Sequence, residues 1–212
     1  MNFAKRFIQK FATSMICLLS CFDRVIFKGY LPFRGEQYLN DYMDRVLGMR
    51  RKSYVYFYST SDTDSLLAEF TGMPEVRSLT FELTDLTDAG VKSIIELPNI
   101  KKLTLYGGKP RVGDDGLAIL KECEKLEILE LVNIDVTDDG LAVLRSFPRL
   151  KDLTIYRDGF RERLLTDTAV RDLRNLNKLT RLNVAGGWMS KTAVAELRRS
   201  LPDCEVVEKS EW

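Results

Sequence analysis

Histidine is absent from all 212 residues. That excludes a Ser-His-Asp triad, a Cys-His nucleophile pair and any histidine metal site. Cysteine is scarce: Cys17, Cys21, Cys123 and Cys204 in a chain this long do not make a disulfide scaffold. No run reaches the roughly 18 to 20 apolar residues that a membrane-spanning helix requires. Net charge is nearly absent too, with 32 basic residues against 31 acidic giving +1. What remains, 45% apolar and 30% charged, is the composition of an ordinary folded chain. Its length suits one domain, or one with a small appendage.

The near-zero total hides an asymmetry. Residues 1–52 hold ten basic and four acidic residues, a net +6, whereas residues 53–212 carry a net −5. A shift of that size marks two regions of different origin or role. The division is therefore read as a basic, helical N-terminal segment over 1–52 and a second region over 53–212.

The second region repeats itself. Five segments of twenty residues, starting at Leu86, Val112, Val136, Leu165 and Met189, align without gaps at intervals of 26, 24, 29 and 24 residues. Their shared frame is apolar, small polar, acidic, any residue, Gly or Ala, then an apolar helical stretch, then apolar-x-x-Leu-x-apolar. The last segment breaks the frame at Lys191, Asp203 and Glu208, as a terminal cap does. A weaker copy starts at Asp62, and one spacing earlier Val55 and Phe57 precede Leu79 and Phe81.

Each unit reads as a strand and a helix. Leu103 and Leu105 alternate with Lys102, Thr104 and Tyr106, the period of two of a strand with one buried face. After Thr137, Leu141, Val143, Leu144 and Phe147 recur at helical spacing. Thr87, Thr137, Thr166 and Ser190 stand where a helix N-cap is wanted, and Asp88, Asp138 and Asp167 follow in the first turn, where the helix dipole favours an anion. One such unit cannot bury its own apolar face, so the copies must stack.

This pattern resembles the leucine-rich repeat family, in its bacterial form with an L-T-D-x-G-L signature, over roughly Val55 to Val207. LPDCEV near the end is similar to the terminal element of such arrays. The resemblance implies an α/β solenoid: a curved parallel sheet inside, helices outside, right-handed. It implies a protein–protein interaction module, with no chemistry and no cofactor. The sequence departs from the family in the asparagine that usually follows the strand. That residue is present as Asn133, but Gly107 or Gly186 stands in its place elsewhere. The inter-repeat asparagine ladder is thereby in doubt, the solenoid not.

The N-terminal segment is separate. Phe3, Phe7, Phe11, Met15 and Leu19 give one amphipathic helix, and Tyr38 to Leu47 reads as a second. Between them, SCFDRVIFKGYLPF resembles the opening of a family of uncharacterised bacterial proteins, a resemblance that stops at Met49-Arg-Arg-Lys52 and carries no activity with it. Three roles stay open: a cap over the first repeat, a fused remnant, or an export signal. For the last, Lys5, Arg6 and Lys10 precede a short apolar run and Leu18-Leu-Ser-Cys21 approximates a lipidation box, which would make the protein an exported lipoprotein anchored through Cys21. The poor fit of leucine in that box favours a cytoplasmic location. Nucleic-acid binding through the net +6 is disfavoured, because no known motif accompanies it.

No enzymatic activity is expected, since nothing pairs a nucleophile with a base. Gly107-Gly108-Lys109 and Gly186-Gly187 lack the spacing of a phosphate loop and read as turns leaving a strand. Asp114-Asp115 and Asp138-Asp139 read as helix starts rather than cation sites. Cys123 and Cys204 fall at core positions. The expected binding surface is the strand face turned away from the core. There Tyr106 and Tyr156 flank Val132, with Glu130 and Asp152 beside them. The 29-residue interval places an insertion at one edge, where Arg157, Phe160, Arg161 and Arg163 are candidate contacts. Three arginines there point to an acidic protein surface as the partner.

Overall fold

The computed structural model describes residues 24–28, 53–60, 62–68, 70–107, 112–157 and 165–208. The apolar pairs that recur along the sequence become the core face of one sheet. Seven strands carry them: β2 (Tyr54–Tyr58), β3 (Ser78–Glu82), β4 (Lys102–Tyr106), β5 (Ile128–Val132), β6 (Asp152–Tyr156), β7 (Arg181–Ala185) and β8 (Glu205–Val207). An eighth, β1 (Arg24–Lys28), lies beside β2, and all pair in parallel in chain order. Leu79, Leu103, Leu129, Leu153 and Leu182 form one buried row across the sheet, in register with one another. Phe81, Leu105, Leu131, Ile155 and Val184 form the next. The ten strand positions expected in the core are all buried, and the α/β, solenoid-like arrangement follows from that repeated burial.

β1 falls in the stretch between the two helices expected from sequence, and adds a strand to the segment 1–52. Arg24↔Tyr54 to Lys28↔Tyr58 is a continuous parallel register across the boundary placed at 52. The two amphipathic helices assigned to Phe3–Leu19 and Tyr38–Leu47 lie outside the described residues, as does Cys21.

Short helical elements connect the strands on the core side: α1 (Thr63–Ala68), α2 (Lys92–Ile95), α3 (Asp114–Leu120), α4 (Val170–Leu173) and α5 (Lys191–Ser200). The expected α-helix after Thr137 is instead a 3₁₀ turn over Gly140–Ser146, and a shorter one, Asp167–Ala169, leads into α4. The reason is geometric. Leu141 and Leu144 are three apart, a spacing that a 3₁₀ helix brings to one face as readily as an α-helix does.

Two of the four expected caps, Thr166 and Ser190, stand at a helix start, whereas Val91 and Asp139 hold that place after Thr87 and Thr137, whose hydroxyls accept from the Gly90 and Gly140 amides. The Thr166 hydroxyl accepts from the Thr168 amide and the Ser190 hydroxyl from the Ala193 amide. The aspartates beside them reach into the next repeat. Asp64 accepts from the amide and hydroxyl of Thr87 (3.0 and 2.5 Å), Asp114 from those of Thr137 (2.8 and 2.7 Å), and Asp138 from those of Thr166 (2.8 and 2.5 Å). Asp88 accepts from the Gly113 amide (2.8 Å) and Asp167 from the Ser190 amide (2.7 Å). This aspartate ladder joins successive repeats. It also explains the glycine two residues after the aspartate: a Cβ on Gly140 would lie 1.8 Å from Asp114 Oδ1, and one on Gly90 1.9 Å from Asp64 Oδ1.

Two carboxylates that bond across repeats, Asp167 and Asp85, make the fold acid-sensitive. Hydrogen bonds from Ser190 hold the Asp167 carboxyl below the usual range. At Asp85 burial alone raises the carboxyl, but bonds from the Thr63 side chain and the Thr63 and Asp62 amides outweigh it and lower it. A carboxylate with a depressed folded pKa stabilises above its unfolded value of about 4 and loses that contribution as pH falls through the folded one. Burial raises Asp152, which works in the opposite direction. The urea midpoint is therefore expected to fall steadily from about pH 5 downward, and Asp167→Asn to flatten that fall. A midpoint that rises on acidification refutes the role given to Asp167 and Asp85.

Candidate functional site

The face of the sheet away from the helices carries the alternate strand residues in three rows. The first runs Tyr54, Ser78, Lys102, Ile128, Asp152, Arg181, Glu205, and the second Tyr56, Thr80, Thr104, Glu130, Thr154, Asn183, Val207. The third runs Tyr58, Glu82, Tyr106, Val132, Tyr156, Ala185. These side chains are fixed by strands buried on their other side, so the surface is rigid.

At the β2 end the face is aromatic. The rings of Tyr54 and Tyr56 have centroids 6.5 Å apart, and those of Tyr56 and Tyr58 6.1 Å. The Tyr54 hydroxyl donates to Thr80 Oγ1 (3.1 Å) and the Tyr56 hydroxyl to Glu82. Burial first, then that bond to Glu82, pushes the Tyr56 hydroxyl well above its ordinary range, so it stays protonated and donating. Towards the middle the face is charged. Glu130 accepts from Lys102 Nζ (2.8 Å) and Thr104 Oγ1 (2.6 Å). Asp152 follows, half-buried, then Arg181, whose Nε lies 3.9 Å from Glu205.

Of the residues singled out from sequence, Tyr106, Glu130, Asp152 and Tyr156 lie on this face, each partly exposed. Two others are corrected. Val132 is wholly buried, because it lies in register between Tyr106 and Tyr156 on the adjacent strands. Arg157 is buried as well: its guanidinium donates to the Ile134 carbonyl, and its amide donates to the Ala185 carbonyl at 3.1 Å. Its charge ties one repeat to the next and is not offered at an edge. Phe160, Arg161 and Arg163 lie outside the described residues. The three-arginine edge that pointed to an acidic partner thus loses the member that the structure describes.

The sequence reading missed Tyr54, Tyr56 and Tyr58. Their signal was present in the alternation of Tyr54-Val-Tyr-Phe-Tyr58, of which only Val55 and Phe57 were used, for the core. It also missed Leu83. The residue after five of the strands turns into the left-handed region, at Ser59 (φ 48°), Leu83 (φ 53°), Gly107 (φ 58°), Asn133 (φ 54°) and Gly186 (φ 91°). Leucine is out of place in that company, since its Cβ is strained there. At 49% it is also the one exposed large hydrophobic among the described residues.

Burial drives the Cys123 thiol up to about 12, and Cys204 is also raised by burial, so neither is poised as a nucleophile. Among the described residues no group of three Cys, Asp or Glu side chains is placed to hold a metal ion, and no helix is long and apolar enough to cross a membrane. No family model matches the chain, and no curated protein matches it.

Proposed function

We propose that the chain is a non-enzymatic protein–protein interaction module, a leucine-rich-repeat array that binds its partner on the concave face of the sheet. The observation that carries this is Leu83. A strained conformation and an exposed apolar side chain both oppose its presence, and glycine or a small polar residue serves the same turn elsewhere in the array. A residue kept against two folding costs supports a role in contact. Tyr58 and Tyr106 stand on the strands beside Glu82, which precedes Leu83, and half-exposed tyrosines of this kind are enriched at the energetic centre of interfaces.

Leu83→Asn is expected to raise stability by about 1 kcal/mol by relieving the turn, and at the same time to weaken partner binding. A photo-crosslinker at Tyr106 should capture the partner in host cells, and one at Lys121, exposed after α3, should not. Tyr156→Ala should weaken the complex by about 1 to 4 kcal/mol. Equal capture from both positions, or full binding by Leu83→Asn, refutes the reading.

A further inference from the structure

We infer that this face recognises an arginine of its partner, with Asp152 on β6 and Asn183 on β7 receiving the guanidinium of an extended protein segment laid across the sheet. The inference deepens the interaction reading and rests on it.

Two of the other three carboxylates of the face are already hydrogen-bonded, and the third, Glu205, is exposed to water. Tyr56 donates to Glu82, and Lys102 and Thr104 donate to Glu130. Asp152 is different. Among the described residues no donor reaches its carboxylate, although Arg181 stands opposite it in register. Arg181 keeps its nearest carboxylate contact with Glu205 on the far side, at 3.9 Å, and its Nε is buried without a hydrogen-bond partner. Burial raises the Asp152 carboxyl ahead of the lowering pull of Arg181, and the neighbouring Glu130 raises it further.

The second observation is independent of the carboxylates. Asn183 is 6% exposed and lies on the same face, paired with Thr154 and Val207, and its Oδ1 is buried with no donor. Buried acceptors are nearly always satisfied, so one left over points to a group that arrives from outside. A turn about the soft terminal torsion of the side chain presents it to the face.

Charge and geometry then select the ligand. Four carboxylates (Glu82, Glu130, Asp152 and Glu205) face two cations (Lys102 and Arg181) across these rows, so an acidic segment is repelled. Asp152 and Asn183 are one strand and two residues out of step, Asp152 being opposite Arg181 and Asn183 opposite Thr154. That diagonal is about 8 Å between backbone positions, from strands about 4.8 Å apart and two residues at about 3.3 Å each. A planar guanidinium donates in several fixed directions at once and spans such a pair, whereas an ammonium is a compact, strongly hydrated point charge. Arginine also stacks on aromatic rings, which Tyr106 and Tyr156 supply on neighbouring rows.

The test uses the full chain with three blocked probes, hexa-arginine, hexa-lysine and hexa-glutamate, titrated calorimetrically at low and physiological salt. Hexa-arginine is expected to bind most tightly and hexa-glutamate not at all. Asp152→Asn should weaken hexa-arginine about tenfold or more without loss of folding stability, since no hydrogen bond to its carboxylate is lost. Asn183→Leu should weaken it likewise, and Glu124→Gln, exposed beyond α3, should not. Hexa-lysine binding as well as hexa-arginine, equal losses in Asp152→Asn and Glu124→Gln, or no hexa-arginine binding each overturns the inference. A partner still crosslinked from Tyr106 but indifferent to Asp152→Asn overturns the arginine assignment and leaves the interaction module standing. Loss of crosslinking from Tyr106 removes the module itself.

Discussion

Leu129→Ala is expected to lower the unfolding free energy by about 2 to 5 kcal/mol. Leu129 is fully buried at the centre of the leucine row, in register with Leu103 on one side and Leu153 on the other. Truncation removes transfer energy from its own repeat and leaves a cavity against both neighbours. In a stacked array, stability is close to a sum of repeat terms and nearest-neighbour interface terms, so a central defect weakens two interfaces together. Val206, on the terminal strand β8, has a sheet neighbour on one side only and is 8% exposed, so Val206→Ala should cost less than about 2 kcal/mol. Urea melts check both. The Leu129→Ala midpoint should drop with its slope unchanged. A cost below that of Val206→Ala contradicts the stacked arrangement.

What the sequence discloses and what it hides follow from the range of the interactions involved. The core rows were legible because period two and a spacing of 24 to 29 residues are properties of one chain read in order. Leu103 and Leu105 announce their strand without reference to any neighbour. β1 was not legible because Val25 and Phe27 precede Val55 and Phe57 by 30 residues, outside the repeat's rhythm, and no repeat frame surrounds them. The aspartates show the same limit from the other side. Their place at the head of each unit is local, and Asp167 stands in a first turn as expected, whereas Asp88 and Asp138 precede helical elements that start later. Their bonds to Thr87, Thr137 and Thr166 cross 23 to 28 residues and appear only when the repeats stack. The binding face was half legible. Alternation says which side chains leave the core, and so it found Tyr106, Glu130, Asp152 and Tyr156. It does not say what adjacent strands then do to them. Val132 leaves the core face and is still buried, in register between two tyrosines, and Arg157 looks like an edge charge until its guanidinium is found on the Ile134 carbonyl.

The second large effect is expected at that same turn. Gly186 has φ +91°, and a Cβ added there would lie 1.9 Å from the carbonyl oxygen of Arg157 and 2.6 Å from its carbonyl carbon. The obstacle is backbone, so no side chain can swing aside. It is also backbone already engaged, since the Arg157 amide donates to the Ala185 carbonyl one residue earlier. Gly186→Ala must therefore push β6 and β7 apart at their ends, on top of the strain of a left-handed alanine. A cost of about 2 to 4 kcal/mol follows. Gly187 provides the internal control. It has φ +72° with nothing within 4 Å of an added Cβ, so Gly187→Ala meets the conformational penalty alone, about 1 kcal/mol. The difference between the two measures the contact. It should also appear locally, as faster hydrogen exchange at the Arg157 amide in Gly186→Ala but not in Gly187→Ala, because that amide's acceptor sits on the strand end that moves. Equal costs for the two substitutions would show that the strands do not approach as closely as the Arg157–Gly186 geometry requires.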